Sequence, residues 1–169
     1  MTTTYVNWGE AKIKLTWKQD NQLTPQDLIT SVHGLCFYNS KVLLVDLNHR
    51  GWDFPGGHIE LNETPEECFK REAMEEGYVE GKCNLLGYII VDHNENPKWD
   101  EKSKYPKVGY QVLYRMDIKE FHNFKGEHKS THRKLINPNE ITVHHREWNS
   151  VYQSILDYAL YRGTCDNSR

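Results

Sequence analysis

Three glutamates, Glu72, Glu75 and Glu76, sit at helical spacing in "GGHIELNETPEECFKREAMEEGYVEG" (Gly56 to Gly81). That stretch holds eight glutamates beside Lys70 and Arg71. At about 100° per residue the three span roughly 100° of a helix circumference, one wall of carboxylates. Crowded carboxylates raise one another's pKa unless a positive charge sits among them. The end of a helix is the wrong place for them, because its free carbonyls favour cations. Like charges at i,i+4 add a further penalty. A hard divalent cation such as Mg²⁺, which takes oxygen ligands together with substrate phosphates, reverses the sign of each of these effects. A solvated acidic face is the commoner use of such a run. The preceding "GWDFPGG" (Gly51 to Gly57) favours the cation site, since two glycines after a proline let backbone groups approach a ligand closely.

Local signals define the helix that must carry this wall. Thr64 can N-cap it, Pro65 suits its first position, and Glu67 completes a T-x-x-E capping box. Gly77 suits the left-handed residue just past the end. The spacing therefore predicts a helix over Pro65 to Glu76. "KIKLTW" (Lys12 to Trp17) alternates, with Ile13, Leu15 and Trp17 on one face of a strand. "LITSVHGLCFY" (Leu28 to Tyr38) and "KVLLVDL" (Lys41 to Leu47) are β-rich and joined through Asn39-Ser40 as a hairpin. "NLLGYIIVD" (Asn84 to Asp92) and "GYQVLYRMDI" (Gly109 to Ile118) are further strands, the second with Tyr110, Val112, Tyr114 and Met116 on one side. The polar segment His93 to Val108 between them is a long loop of the kind that often carries function. Asn139 to Arg162 ends in a helix whose packing face is Trp148, Val151, Tyr152, Ile155 and Ala159. The tail "GTCDNSR" (Gly163 to Arg169) is expected to fray. Strands, a central helix, more strands and a last helix point to an α+β fold, a mixed sheet flanked by helices in an α/β/α sandwich.

The bulk composition narrows the function. A chain of 169 residues suits one domain, residues 1–169, with a sizeable core. Five Trp, ten Tyr and five Phe exclude a solvated coil. A net charge of -3 gives no global pull toward nucleic acid or an anionic membrane, so a polyanionic ligand must be met locally. No run approaches a membrane span, and the first residues lack the pattern of a secretory signal. Cys36, Cys68, Cys83 and Cys165 form no C-x-x-C pair, which argues against a zinc knuckle and a disulfide framework. Cys36 and Cys68 suit small core residues. A reducing, cytoplasmic setting is expected.

Gly57, five residues, Glu63, seven residues, Arg71-Glu72, Ala73, one residue and Glu75-Glu76 resemble the Nudix box, placed here at 57–79. The box has Gly two positions after its last Glu, then an aliphatic residue. Here Gly77 follows Glu76 at once, Tyr78 takes the glycine position and Val79 the aliphatic one. This predicts a helix exit shortened by one residue, with Gly77 as its cap. The resemblance implies a Nudix-like mixed sheet and the hydrolysis of nucleoside diphosphates linked to another moiety, using Mg²⁺ or Mn²⁺ and water. By motif position Glu72, Glu75 and Glu76 are metal ligands, and one of them or a nearby acid activates water. The carbonyl of Gly56 is a further ligand, and Arg71 orients Glu72 and pairs with Glu63. Some family members use a carboxylate from a distant loop; Glu127 in "KGEHKSTHR" is the candidate here, against the commoner role of a surface glutamate. "RGWDFPGGHIE" (Arg50 to Glu60) is also similar to bacterial Nudix proteins acting on nucleoside triphosphates or triphosphorylated RNA ends.

Aromatic residues could stack a base, at about 1–3 kcal/mol each. The candidates are Trp52 and Phe54, which fit a core role equally well, and Trp99 with Tyr105 on the long loop. Gly57 is the candidate for close backbone approach to the substrate. Lys102, Lys104 and Lys107 suit either extra phosphates or a solvated loop. His58 suits packing or hydrogen bonding, and His144-His145 lack the further ligands of a zinc site. The expected partner is a nucleotide or nucleotide derivative, including an RNA 5′ end, and no membrane. A monomer and a homodimer are both open, because the alternating N-terminal strand can pair with a partner copy or its own sheet. Two alternatives stand beside an enzyme: a nucleotide-sensing Nudix-like domain without turnover, and a purely structural acidic helix, which predicts no Mg²⁺-dependent change in melting temperature.

Overall fold

The computed structural model describes residues 1–167, with side chains to Thr164. It divides into two compact units, and the strands β7 (Val79–Asp92) and β8 (Val108–Phe121) contribute residues to both.

The first unit comprises residues 1–31, 85–113 and the chain from 149. β1 (Thr2–Trp8) and β2 (Ala11–Gln19) form an antiparallel hairpin, and β2 continues onto the later part of β7 from Lys14↔Asp92 to Gln19↔Gly87. Alternation in β2 works as its sequence implies: Ile13, Leu15 and Trp17 are buried. β1 is a strand that the sequence pattern did not indicate; its residues alternate only between exposed and half-buried. The long helix, Ser150–Asn167, buries Val151, Ile155 and Ala159. It touches the hairpin through Thr2 Oγ1 and Ser154 Oγ (2.7 Å) and through the rings of Trp17 and Tyr158. Its start differs from expectation. Asn149 Oδ1 accepts the N–H groups of Val151 (2.9 Å) and Tyr152 (3.2 Å), an N-cap that leaves Trp148 ahead of the helix. The tail expected to fray is helical to Asn167; Ser168 and Arg169 lie outside the described residues. In the loop between β7 and β8, His93 N–H donates to Lys107 O (2.8 Å) and Trp99 Nε1 donates to Tyr105 O (3.1 Å). Trp99 is thus used to close its own loop, with the Lys107 ammonium over its ring.

The second unit, residues 32–84 and 114–148, holds every residue of the box. β3 (Ile29–Tyr38) turns into β4 (Lys41–Leu47) through Asn39 and Ser40, both left-handed at φ 50° and 64°. Two positive φ values are what a two-residue turn joining twisted strands requires. β4 also pairs with β5 (Gly51–Asp53) and with β9 (Ser130–Ile136), while β6 (Gly56–Gly57) pairs with β3 at Val32 and His33. Val42, Leu43, Leu44 and Val45 are fully buried, so β4 runs through the core of this unit. α1 (Pro65–Glu72) stacks Phe69 on Tyr114 of β8, ring planes 4° apart. α2 (Ile141–His144) is a single turn, and the long helix that follows it in the chain is α3. No helix among the described residues is long and apolar enough to cross a membrane.

Candidate active site

The capping box forms as its sequence implies. Thr64 Oγ1 accepts the Glu67 N–H, and Glu67 Oε1 accepts the Thr64 N–H, both at 3.1 Å. The exit does not. The α-helix ends at Glu72, and Ala73–Gly77 form one π turn, i→i+5, so the chain makes room for an extra residue rather than dropping one. Gly77 is not the left-handed residue. Its role is spatial, since a Cβ there would stand 2.9 Å from Leu43 Cδ2. Tyr78 takes the left-handed conformation at φ 54°, ψ 43°, and its N–H donates to Met74 O (3.0 Å). The position that holds glycine in the box is left-handed in this chain and occupied by a tyrosine. Tyr78 is held by its surroundings. Its ring packs edge-on against Phe124 (5.0 Å), its hydroxyl accepts the Glu127 N–H (3.1 Å), and its carbonyl accepts from His122 N–H and Arg133.

The helix and the π turn place the carboxylates at graded depths. Glu72 and Glu76 are each 1% exposed, whereas Glu75 is at the rim with a 29% exposed side chain. Arg71 is the hub. It grips Glu63 through Nε (2.7 Å) and Nη2 (3.0 Å), reaches Glu72 Oε1 through Nη1 (2.8 Å), and ties down the His58 carbonyl (3.0 Å). Two-point contact of a guanidinium with a carboxylate fixes orientation as well as charge. The hydrogen bonds from Arg71 hold Glu63 down at about 2. Glu76 accepts the Gly56 N–H (2.8 Å). Burial and then the nearby Glu72 charge push Glu76 up to about 8, a shift that the Gly56 N–H and Lys129 only partly offset.

The glycine loop is fitted around these acids. A Cβ on Gly57 would stand 2.5 Å from Glu72 Oε1, so this glycine makes room for a carboxylate. A Cβ on Gly56 would collide with His33 Nδ1 and stand 2.6 Å from Val32 O. Cys68 Sγ lies 3.4 Å from the His58 carbonyl, beneath the loop. Asp53 anchors the loop's start. It accepts the Phe54 N–H (2.7 Å) and pairs with His145 Nε2 (3.1 Å). Burial raises the Asp53 carboxyl, but the hydrogen bond and charge of His145 prevail and hold it below its ordinary value. Of the aromatic candidates, Phe54 is buried against His145 and Trp148, while Trp52 is half-buried against His144. Trp99 belongs to the other unit.

One residue of the site had no signal in its own segment. Lys129 Nζ lies 3.1 and 3.2 Å from the two oxygens of Glu72. Burial lowers this ammonium, but its hydrogen bond to Glu72 and the charges of Glu72, Glu76 and Glu75 hold it above its ordinary value. Glu127, on the same segment, is exposed, and it is its backbone N–H that holds Tyr78. Glu80, Glu120 and His122 form a separate surface trio whose ligand atoms lie within 4.8 Å of one another and which includes none of the box acids.

The donor set fits a hard divalent cation. Arg71 pairs with Glu63, Glu72 and Glu75, and Lys129 with Glu72; Glu72 and Glu76 are almost fully buried, and every candidate ligand atom is oxygen.

Comparison with known proteins bears on the family and the fold. A family profile for the NUDIX domain matches residues 28–158. An 8-oxo-dGTP diphosphatase of Proteus vulgaris is 46% identical over 48 residues, 27% of this chain and 43% of that protein, so the match spans less than half the relative's length. Among solved structures, a point mutant of the Bacillus subtilis pyrophosphohydrolase BsRppH superposes with a TM-score of 0.69 at 21% identity, covering 96% of this chain and 98% of that one. The NUDIX domain of Shewanella oneidensis NrtR complexed with ADP ribose gives 0.58 at 16% identity, over 79% and 87%. These likenesses establish the α+β fold, a sheet flanked by helices.

Proposed function

The chain belongs to the Nudix family, and on that premise we propose that it is a Mg²⁺-dependent pyrophosphohydrolase, served also by Mn²⁺. It cleaves a diphosphate linkage in a nucleotide-type substrate by attack of water at phosphorus. A nucleoside triphosphate, a modified nucleotide or an RNA 5′ end is the substrate class. The observation that carries this is the pair of nearly buried carboxylates, Glu72 and Glu76, beside the backbone of Gly56 and Gly57. Nothing in folding favours two such acids side by side, and a divalent cation resolves the conflict.

Glu72, Glu75 and Glu76, with the Gly56 carbonyl, would hold the cation. When bound, it neutralises pyrophosphate charge and lowers the pKa of a coordinated water. The remaining work belongs to the chain. Arg71 fixes the orientation of Glu72 while Glu63 fixes Arg71. The Gly56 N–H keeps Glu76 turned toward the loop. A carboxylate of this cluster accepts the proton of the attacking water as its oxygen bonds to phosphorus and the bridging P–O bond breaks, releasing the second phosphate. Trp52 is the half-buried aromatic beside the glycine loop best suited to the base, Phe54 being committed to the core. The likeness to a pyrophosphohydrolase over nearly the whole chain supports one catalytic domain across residues 1–169. Free Cys36, Cys68 and Cys83 support a reducing, cytoplasmic setting.

The test is turnover of a panel of nucleotides and triphosphorylated RNA with Mg²⁺, followed by coupled detection of phosphate or pyrophosphate. Glu76→Gln retains an acceptor for the Gly56 N–H but loses the charge. Its rate is expected to fall by about 10²-fold or more. Wild-type rates for Glu76→Gln on every hydrolysed substrate would overturn the assignment.

A further inference from the structure

Glu72 carries two cations, and they differ in freedom. Arg71 is locked by Glu63, Glu72 and the His58 carbonyl, with its side chain 21% exposed. Lys129 is 48% exposed and reaches Glu72 at the end of an unbranched stem. Its backbone, however, is fastened on both sides. Asn48 N–H donates to the Lys129 carbonyl (2.9 Å), and Ser130 Oγ donates to the Glu76 carbonyl (2.6 Å). The Lys129 main chain is therefore held beside the carboxylates while its ammonium can swing. An ammonium spread over both oxygens of Glu72 occupies that carboxylate's free edge, and a second positive charge on the same edge is repelled at contact distance.

We propose that Lys129 is a two-position residue: it neutralises Glu72 in the metal-free protein and, once the carboxylates are ligated, turns its ammonium onto a phosphate oxygen of the bound substrate. The second position rests on the pyrophosphohydrolase reading above. Lysine suits it, being a compact point charge that binds phosphate without demanding a fixed approach angle. The substrate class follows: a polyphosphate chain brings the excess negative charge that a swinging ammonium can follow.

Two titrations test this without turnover. Mn²⁺ alone is titrated into the full chain and followed by electron paramagnetic resonance, then imidodiphosphate is titrated into the Mn²⁺-saturated protein. Lys129→Met, neutral and of similar length, is expected to bind Mn²⁺ about tenfold tighter and imidodiphosphate about tenfold more weakly. Lys129→Arg, which keeps the charge, is expected to stay within about threefold of wild type in both. Mn²⁺ affinity in Lys129→Met that is unchanged or weaker, or imidodiphosphate affinity that is unchanged, overturns the proposal. A wild-type chain that hydrolyses nothing in the panel would overturn the hydrolase reading instead, and leave these two titrations to decide Lys129.

Discussion

Restoring the glycine that the Nudix pattern holds at position 78 is expected to destabilise this protein. A non-glycine residue in the left-handed region costs about 1–2 kcal/mol, which Tyr78→Gly relieves. Glycine also widens the unfolded ensemble, at a cost of roughly 0.5–1 kcal/mol. Set against each other, these two terms leave a net relief of about 1 kcal/mol. What remains is the ring, which is 7% exposed and packed edge-on at 5.0 Å from Phe124. Deleting a buried aromatic side chain costs about 3–5 kcal/mol. The hydroxyl's bond with the Glu127 N–H adds about 1 kcal/mol. Net destabilisation is therefore about 3–5 kcal/mol, or a melting temperature lower by roughly 6–20 °C in a domain of this size. Urea unfolding followed by tryptophan fluorescence and circular dichroism measures it. Tyr78→Phe separates the parts, because it keeps the ring and the strain and is expected to lose only about 1 kcal/mol. A Tyr78→Gly protein as stable as wild type, or more stable, would show that backbone strain outweighs packing and refute the reasoning.

Two further perturbations act on the carboxylate cluster itself. Gly57→Ala drives a Cβ to 2.5 Å from Glu72 Oε1, so the buried acid must move; Mn²⁺ affinity is expected to fall about 10–100-fold, and an unchanged affinity would show that Gly57 does not set the position of Glu72. Glu63 lies at about 2 when folded, below its ordinary 4.5, so its contribution is fully present above pH 4.5 and is lost as pH falls toward 2. Arg71→Gln removes that contribution; the gap in melting temperature between wild type and variant is expected to shrink as pH drops from about 5 to about 2.5, and a constant gap would sink the assignment.

What could be anticipated from sequence divides along physical lines. The cap at Thr64, the turn at Asn39-Ser40 and the spacing of Glu72, Glu75 and Glu76 are short-range, and each signal lies within a few residues of the structure it specifies. Short-range signals also compete, and there the stronger one decides. Periodicity alone put Trp148 on the last helix, but the Asn149 side chain satisfies the first free N–H groups and starts the helix after it. At the other end of the box, periodicity cannot distinguish an α exit from a π turn, because both keep the same residue order. Only the tertiary contacts of Tyr78 with Phe124, Glu127 and Arg133 make a left-handed tyrosine tolerable. β1 and β9 are mostly exposed or half-buried and lack the apolar alternation that reveals strands.

The cations are a different case. Arg71 neighbours Glu72 in sequence and belongs to the motif, whereas Lys129 arrives from 57 residues away on a polar segment resembling any solvated loop. It is β9, paired along β4 from Val42↔Ile136 to Leu47↔Ser130, that carries Lys129 to the carboxylates, and no spacing rule encodes that pairing. The acids of a metal site can be grouped on one helix and so appear as a motif. The charge that balances them in the metal-free protein has to come from elsewhere in the fold, because a second basic residue on the same helical face would crowd the face that the cation must enter. On the proposed two-position role of Lys129, substitution at position 129 is expected to change metal affinity while the carboxylates stay the same.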